Sequence, residues 1–122
     1  MSNLKSIAVV EDDASLLAAL ENLIGSHGLG VCGFANAEAF LAQRDFIEVD
    51  CLITDVQMDG MGGVELFHTL RRSGGKTPVI FITAFEDESI HRQAMTAGAI
   101  AYFKEPFDCE DVIECVEDCL AK

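Results

Sequence analysis

Short apolar runs and amphipathic stretches alternate along the whole chain. Ile7-Ala8-Val9-Val10 is a continuous apolar run closed by acids, the pattern of a strand buried on both faces. Leu16, Leu17, Leu20, Leu23 and Ile24 then recur at helical spacing, and the Gly25–Gly28 stretch closes that helix. A weaker strand follows over Gly30–Phe34, and Asn36 stands where it caps a helix over Ala37–Arg44. Cys51-Leu52-Ile53 makes a third strand; a glycine-rich turn then leads to a helix over Val64–Arg72. Pro78 opens a fourth strand, Val79–Thr83. A fourth helix is predicted from about Asp87 to Ala97, ending on Gly98 as its left-handed cap. Ile100–Phe103 reads as the fifth strand, and Asp108 as the cap of a last helix reaching Leu120.

Five strand–helix units in strict alternation predict an α/β domain, a parallel sheet with helices on both faces. The 122 residues suffice for one domain with a real core, and no internal repeat or linker divides them. No apolar run approaches the length of a membrane span, and Met1-Ser2-Asn3-Leu4-Lys5 lacks the pattern of a secretory signal, so a cytoplasmic chain is expected.

Charge narrows the functional classes. A formal net charge of −13 argues against direct nucleic-acid contact, which needs clustered Lys and Arg. Arg71, Arg72 and Lys76 alone lie close together, and they read as a solvated helix end suited to the dipole. The five cysteines show no CxxC pair and read as reduced, mostly buried small hydrophobes; Cys115 and Cys119, one turn apart, lack the partners of a metal site. His27, His68 and His91 show no ligand pattern. On the last helix, Glu110, Asp111, Glu114, Glu117 and Asp118 form an acidic face, read first as a solvated surface and second as a docking surface.

In an open parallel sheet, ligands bind beyond the carboxyl ends of the strands. The first strand delivers Glu11, Asp12 and Asp13 there, the third Asp55, the fourth Thr83, and the fifth Lys104 and Glu105. Asp13 also suits a helix cap. Clustered carboxylates raise one another's pKa unless a cation joins them, and oxygen ligands of this kind suit Mg²⁺. The pattern points to an acidic metal site and leaves the chemistry done there open.

Val10-Glu11-Asp12-Asp13, Ile53-Thr54-Asp55-Val56-Gln57-Met58 with Gly63, Ile82-Thr83-Ala84, and Ala97-Gly98-Ala99 through Tyr102 to Pro106-Phe107 resemble the receiver domains of bacterial two-component response regulators, particularly those of the FixJ type. The resemblance covers residues 1–122 as a single receiver domain. It implies a flavodoxin-like, doubly wound (βα)5 fold with strand order 2-1-3-4-5. It also implies Mg²⁺-dependent phosphoryl acceptance on Asp55 from a sensor histidine kinase or phosphotransfer protein. Glu11 and Asp12 match the acidic pair, with Asp12 the direct metal ligand, and the Gln57 carbonyl matches a third protein ligand beside Asp55. Thr83 and Tyr102 match the switch pair, the small Ala84 leaves access to the phosphate site, and Pro106 matches a proline after a cis bond. The surface of the fourth helix and fifth strand would then serve a homodimer or an output domain, in keeping with transcription regulation. The domain would be no enzyme beyond its own phosphorylation and dephosphorylation.

Two positions depart from the family pattern. Asp59 stands where a proline is common, and Glu105 stands where the family's lysine is expected, with Lys104 one residue earlier. A one-residue shift turns a strand side chain to the other face. Three readings follow: Lys104 reaches back through a local bulge, Glu105 binds or repels metal in an altered receiver, or the domain is a phosphorylation-independent protein-interaction module.

Overall fold

The computed structural model describes residues 5–85 and 87–121. Residues 1–4, read above as lacking a secretory pattern, and the terminal Lys122 lie outside the described residues. Five strands, β1 (Ser6–Val10), β2 (Gly30–Phe34), β3 (Cys51–Asp55), β4 (Val79–Thr83) and β5 (Ala101–Lys104), form one parallel sheet. Their order is β2-β1-β3-β4-β5, the doubly wound order the resemblance implied. Five helices connect or follow them: α1 (Ala14–Ser26), α2 (Ala37–Gln43), α3 (Gly63–Arg72), α4 (Glu88–Ala97) and α5 (Cys109–Leu120).

Caps fix where the helices begin. Asp13 accepts from the amides of Ser15 and Leu16, Asn36 from Ala39, Asp87 from Ser89 and Ile90, and Asp108 from Glu110. Gly98 ends α4 at φ 111°, a conformation that L side chains rarely adopt.

Side-chain alternation divides the core in two. Ala8, Val10, Leu52, Val79 and Phe81 point to one face, where α2, α3 and α4 bring Phe40, Leu66, Phe67, Leu70 and Ala94. Ile7, Val9, Cys51, Ile53, Ile80 and Ile82 point to the other, against Leu20 and Ile24 of α1 and Val112, Ile113 and Val116 of α5. Burying such side chains contributes roughly 1.5–3 kcal/mol each, which explains why the central strands are apolar on both faces. Among the described residues no helix is long and apolar enough to cross a membrane.

Several expectations need correction. β3 runs on through Thr54 and Asp55, because both polar side chains are buried beside their neighbours. β5 begins at Ala101, since Ile100 is exposed. A single 3-10 turn at Arg44–Phe46 replaces the end expected for the second helix. Of the cysteines only Cys51 is buried; Cys32 and Cys109 are exposed, and Cys115 and Cys119 half-buried. Cys51 also lies beside Cys119, a neighbour that no local spacing foretold, and burial foremost pushes its thiol up beyond the usual thiol range. Arg71 is not a purely solvated cation: its guanidinium lies 4.4 Å over the Phe67 ring, and the residue as a whole is half-buried.

Candidate functional site

The carboxyl end of the sheet gathers the acids. Glu11 follows β1 directly, Asp55 is the last residue of β3, and Asp12 opens the turn into α1. Carboxylate oxygens of Glu11, Asp12 and Asp55 all lie within 4.8 Å of one another. Glu11 is only 2% exposed and Asp55 9%, whereas Asp12 reaches solvent.

Glycine geometry holds the turn beneath Asp55. Gly63 donates its amide to the Val56 carbonyl at 2.9 Å, folding the chain back onto the end of β3. A Cβ at Gly63 would collide with the Asp55 carbonyl oxygen, so only glycine fits there. The Gln57 amide, in the same turn, donates to Asp55 Oδ1 at 3.1 Å and orients the carboxylate. Farther along the loop, Glu38 of α2 accepts from the Met61 amide at 3.2 Å and ties the loop to the second helix.

Electrostatics leave this cluster short of positive charge. Glu11 Oε2 accepts from the Asp13 amide at 2.9 Å, but Oε1 is buried with no donor reaching it among the described residues. Burial pushes the Glu11 carboxyl up to about 8; the Asp13 amide opposes this, and the charge of Asp55 adds to it. Asp55 is likewise raised, by burial first, with the Gln57 amide opposing and the charges of Asp12 and Glu105 adding. The two ion pairs among the described residues, His27–Glu117 and Arg44–Asp45, are both elsewhere. An orphaned buried carboxylate oxygen facing two further carboxylates fits a hard divalent cation, for which Mg²⁺ with its oxygen preference is suited.

Thr83, at the end of β4, is 1% exposed and engaged with its own loop. Its hydroxyl donates to the Phe85 carbonyl at 3.0 Å and accepts from the Phe85 amide at 3.1 Å. Tyr102 sits on the same sheet face, tilted against Phe81 at 6.4 Å and stacked on His91 of α4 at 4.2 Å and 6°. His91 carried no sequence signal, because its role as a stacking partner exists only once α4 lies on β5.

The β4–β5 register continues unbroken to Thr83 opposite Lys104, so no bulge reverses the lysine. Lys104 shares the parity of Tyr102 and is exposed. Glu105 follows it, half-buried, with its amide donating to the Thr83 carbonyl at 2.7 Å and a cis bond to Pro106. The rim therefore brings together Glu11, Asp12, Asp55 and the Gln57 turn, with Glu105 on the strand parity of Asp55 and both Thr83 and Lys104 on the opposite one.

A doubly wound α/β domain with acids at this rim defines a class of fold and site. Residues 7–117 match the family described as the response regulator receiver domain, and the chain belongs to that family. It is 38% identical to the response regulator protein TmoT of Ectopseudomonas mendocina, over 93% of this chain and 52% of that protein. It is 30% identical to the transcriptional regulatory protein FixJ of Bradyrhizobium diazoefficiens, over 93% of this chain and 56% of that protein. The crystal structure of FixJ-N superposes with a TM-score of 0.88 at 30% identity, covering 99% of this chain and 96% of that one. The domain is thus FixJ-like, and it spans about half the length of the curated relatives it matches.

Proposed function

We propose that this receiver accepts a phosphoryl group on Asp55 from a phosphohistidine of a sensor kinase or phosphotransfer protein. The observation that carries the reading is the Glu11–Asp12–Asp55 cluster, with Glu11 Oε1 buried and lacking a donor. Glu11, Asp12, Asp55 and the Gln57 carbonyl would hold Mg²⁺. When bound, the ion supplies neutralisation of charge on the transferring group. Asp55, oriented by the Gln57 amide, attacks phosphorus with a carboxylate oxygen, forming the P–O bond as the P–N bond breaks. The bonding pair of that P–N bond leaves on the imidazole nitrogen. The chemistry stays on this chain's own aspartate, and no external substrate is turned over.

The switch follows from what Thr83 and Tyr102 hold. Thr83 must give up its two bonds to Phe85 to reach a phosphoryl group on Asp55. That move frees space on the face where Tyr102 packs, and so alters the surface of α4 and β5. We assign that surface to an output domain or a homodimer in the cytoplasm; relatives named as transcriptional regulators are in keeping with DNA contacted elsewhere than on this acidic domain. The test is to incubate the protein with a small phosphodonor and Mg²⁺ and to look for an acyl phosphate by ³¹P NMR. A signal that maps by peptide mass to Asp55 is expected; its absence would leave a domain that signals without phosphorylation.

A further inference from the structure

Strand parity sets the side chains of the rim into two groups. Ile7 and Val9 of β1 lead to Glu11, Ile53 of β3 leads to Asp55, and Ala101 and Phe103 of β5 lead to Glu105; all those leading residues pack in the core under α1 and α5. Thr83, Tyr102 and Lys104 carry the opposite parity, that of Phe81 and α4. Because the β5 register has no bulge and the Glu105 amide is anchored on the Thr83 carbonyl, Glu105 stands on the Asp55 side of the rim. Its charge reaches Asp55, where it adds to the effect of Asp12.

We propose that Glu105 tightens the rim's hold on a divalent cation by supplying a further carboxylate on the Asp55 side, where no ion pair stands among the described residues. The inference rests on the reading of this cluster as a cation site, for which Glu11 Oε1 is the independent support: it is buried, lacks a donor and belongs to the group of three converging carboxylates. A cation here does two tasks. It satisfies the orphaned oxygen, and it offsets a negative potential to which four carboxylates contribute with no neighbouring ion pair among the described residues. Glu105 acts through that potential and is not required as a direct ligand. The consequence for the switch is a lower cation concentration at which the rim is filled.

Mn²⁺ binding, followed by the EPR signal of the free ion at an ionic strength of about 0.15 M, tests this on the whole chain. Replacing one negative by one positive charge beside a divalent ion gives Glu105→Lys about tenfold weaker binding, with Glu105→Gln between it and wild type. Glu114→Lys, the same charge change on the exposed face of α5, should alter affinity by no more than about twofold at a distance where salt screens it. Circular dichroism on each variant confirms that it folds, and the near-isosteric Glu105→Gln keeps the comparison valid should the lysine variant unfold. Equal losses for Glu105→Lys and Glu114→Lys would overturn the proposal alone. Absence of Mn²⁺ binding by wild type would overturn the cation reading together with it. Intact Mn²⁺ binding without any acyl phosphate would overturn phosphoryl acceptance and leave the assignment of Glu105 standing.

Discussion

Glu110, Asp111, Glu114, Glu117 and Asp118 line the outer face of α5, all exposed, whereas Glu11 and Asp55 at the carboxyl end of the sheet are 2% and 9% exposed. Acids of both regions belong to the set behind the net charge of −13, five on the α5 face and Glu11, Asp12, Asp55 and Glu105 at the rim. On α5 the carboxylates reach water, Glu117 lying also 3.7 Å from His27 Nδ1, and a charge costs little. At the rim the core of two helical layers removes that water, so each carboxylate needs a proton, an amide or a cation. The Asp13 and Gln57 amides serve one oxygen each, which leaves Glu11 Oε1 to a proton or a cation. Function concentrates where burial makes charge expensive, and counting acids alone does not locate it.

The largest effect that sharpens this contrast is the pH dependence. The Glu11 carboxyl is held at about 8 in the folded protein against an ordinary value of 4.5. The folded state therefore retains a proton that the unfolded chain releases between those values. The metal-free domain should be most stable near the acidic end of that window and lose stability as pH rises towards 8, by up to about 5 kcal/mol. Thermal melts of wild type and Glu11→Gln across that range separate this residue from the general acidity of the chain. A slope unchanged by the substitution would break the distinction between buried and exposed acids, and Mg²⁺ should flatten the wild-type slope.

Next comes the backbone under Asp55. Gly63→Ala would drive a methyl group into the Asp55 carbonyl and should destabilise the domain by about 3 kcal/mol in urea unfolding. A change below about 0.5 kcal/mol would mean that the turn yields and does not fix the aspartate.

The smallest effect belongs to α5. Glu114→Gln should change unfolding free energy by less than about 0.5 kcal/mol with no pH-dependent component above the acidic range. A larger change would show that the outer face is not merely solvated.

Much of this contrast was legible in the residues themselves. Apolar runs located the three central strands because a strand covered on both faces has no room for alternation, as Val79–Thr83 shows, whereas the half-buried edge strands β2 and β5 gave a weaker pattern. Caps such as Asp13, Asn36 and Asp108 announced helix starts through local chemistry. Placing Asp55 at the rim followed from its position just after an apolar run. Its membership of the strand did not, because burial of Thr54 and Asp55 depends on the neighbouring β1 and β4. Contacts between distant segments were hidden for the same reason. His91 against Tyr102, Cys51 against Cys119 and Glu38 against Met61 arise only from packing. The Lys104–Glu105 question lay between these extremes: alternation posed it, and an unbroken register with β4 gave the side-chain parity.

Intact-mass measurement after treatment with a small phosphodonor tests the central claim most directly, run with Mg²⁺, with a chelator, and on Asp55→Asn. The account predicts one phosphoryl group on wild type with Mg²⁺, little with the chelator, and none on the variant. An equal adduct in the chelator arm or on Asp55→Asn, or no adduct in any arm, would contradict it.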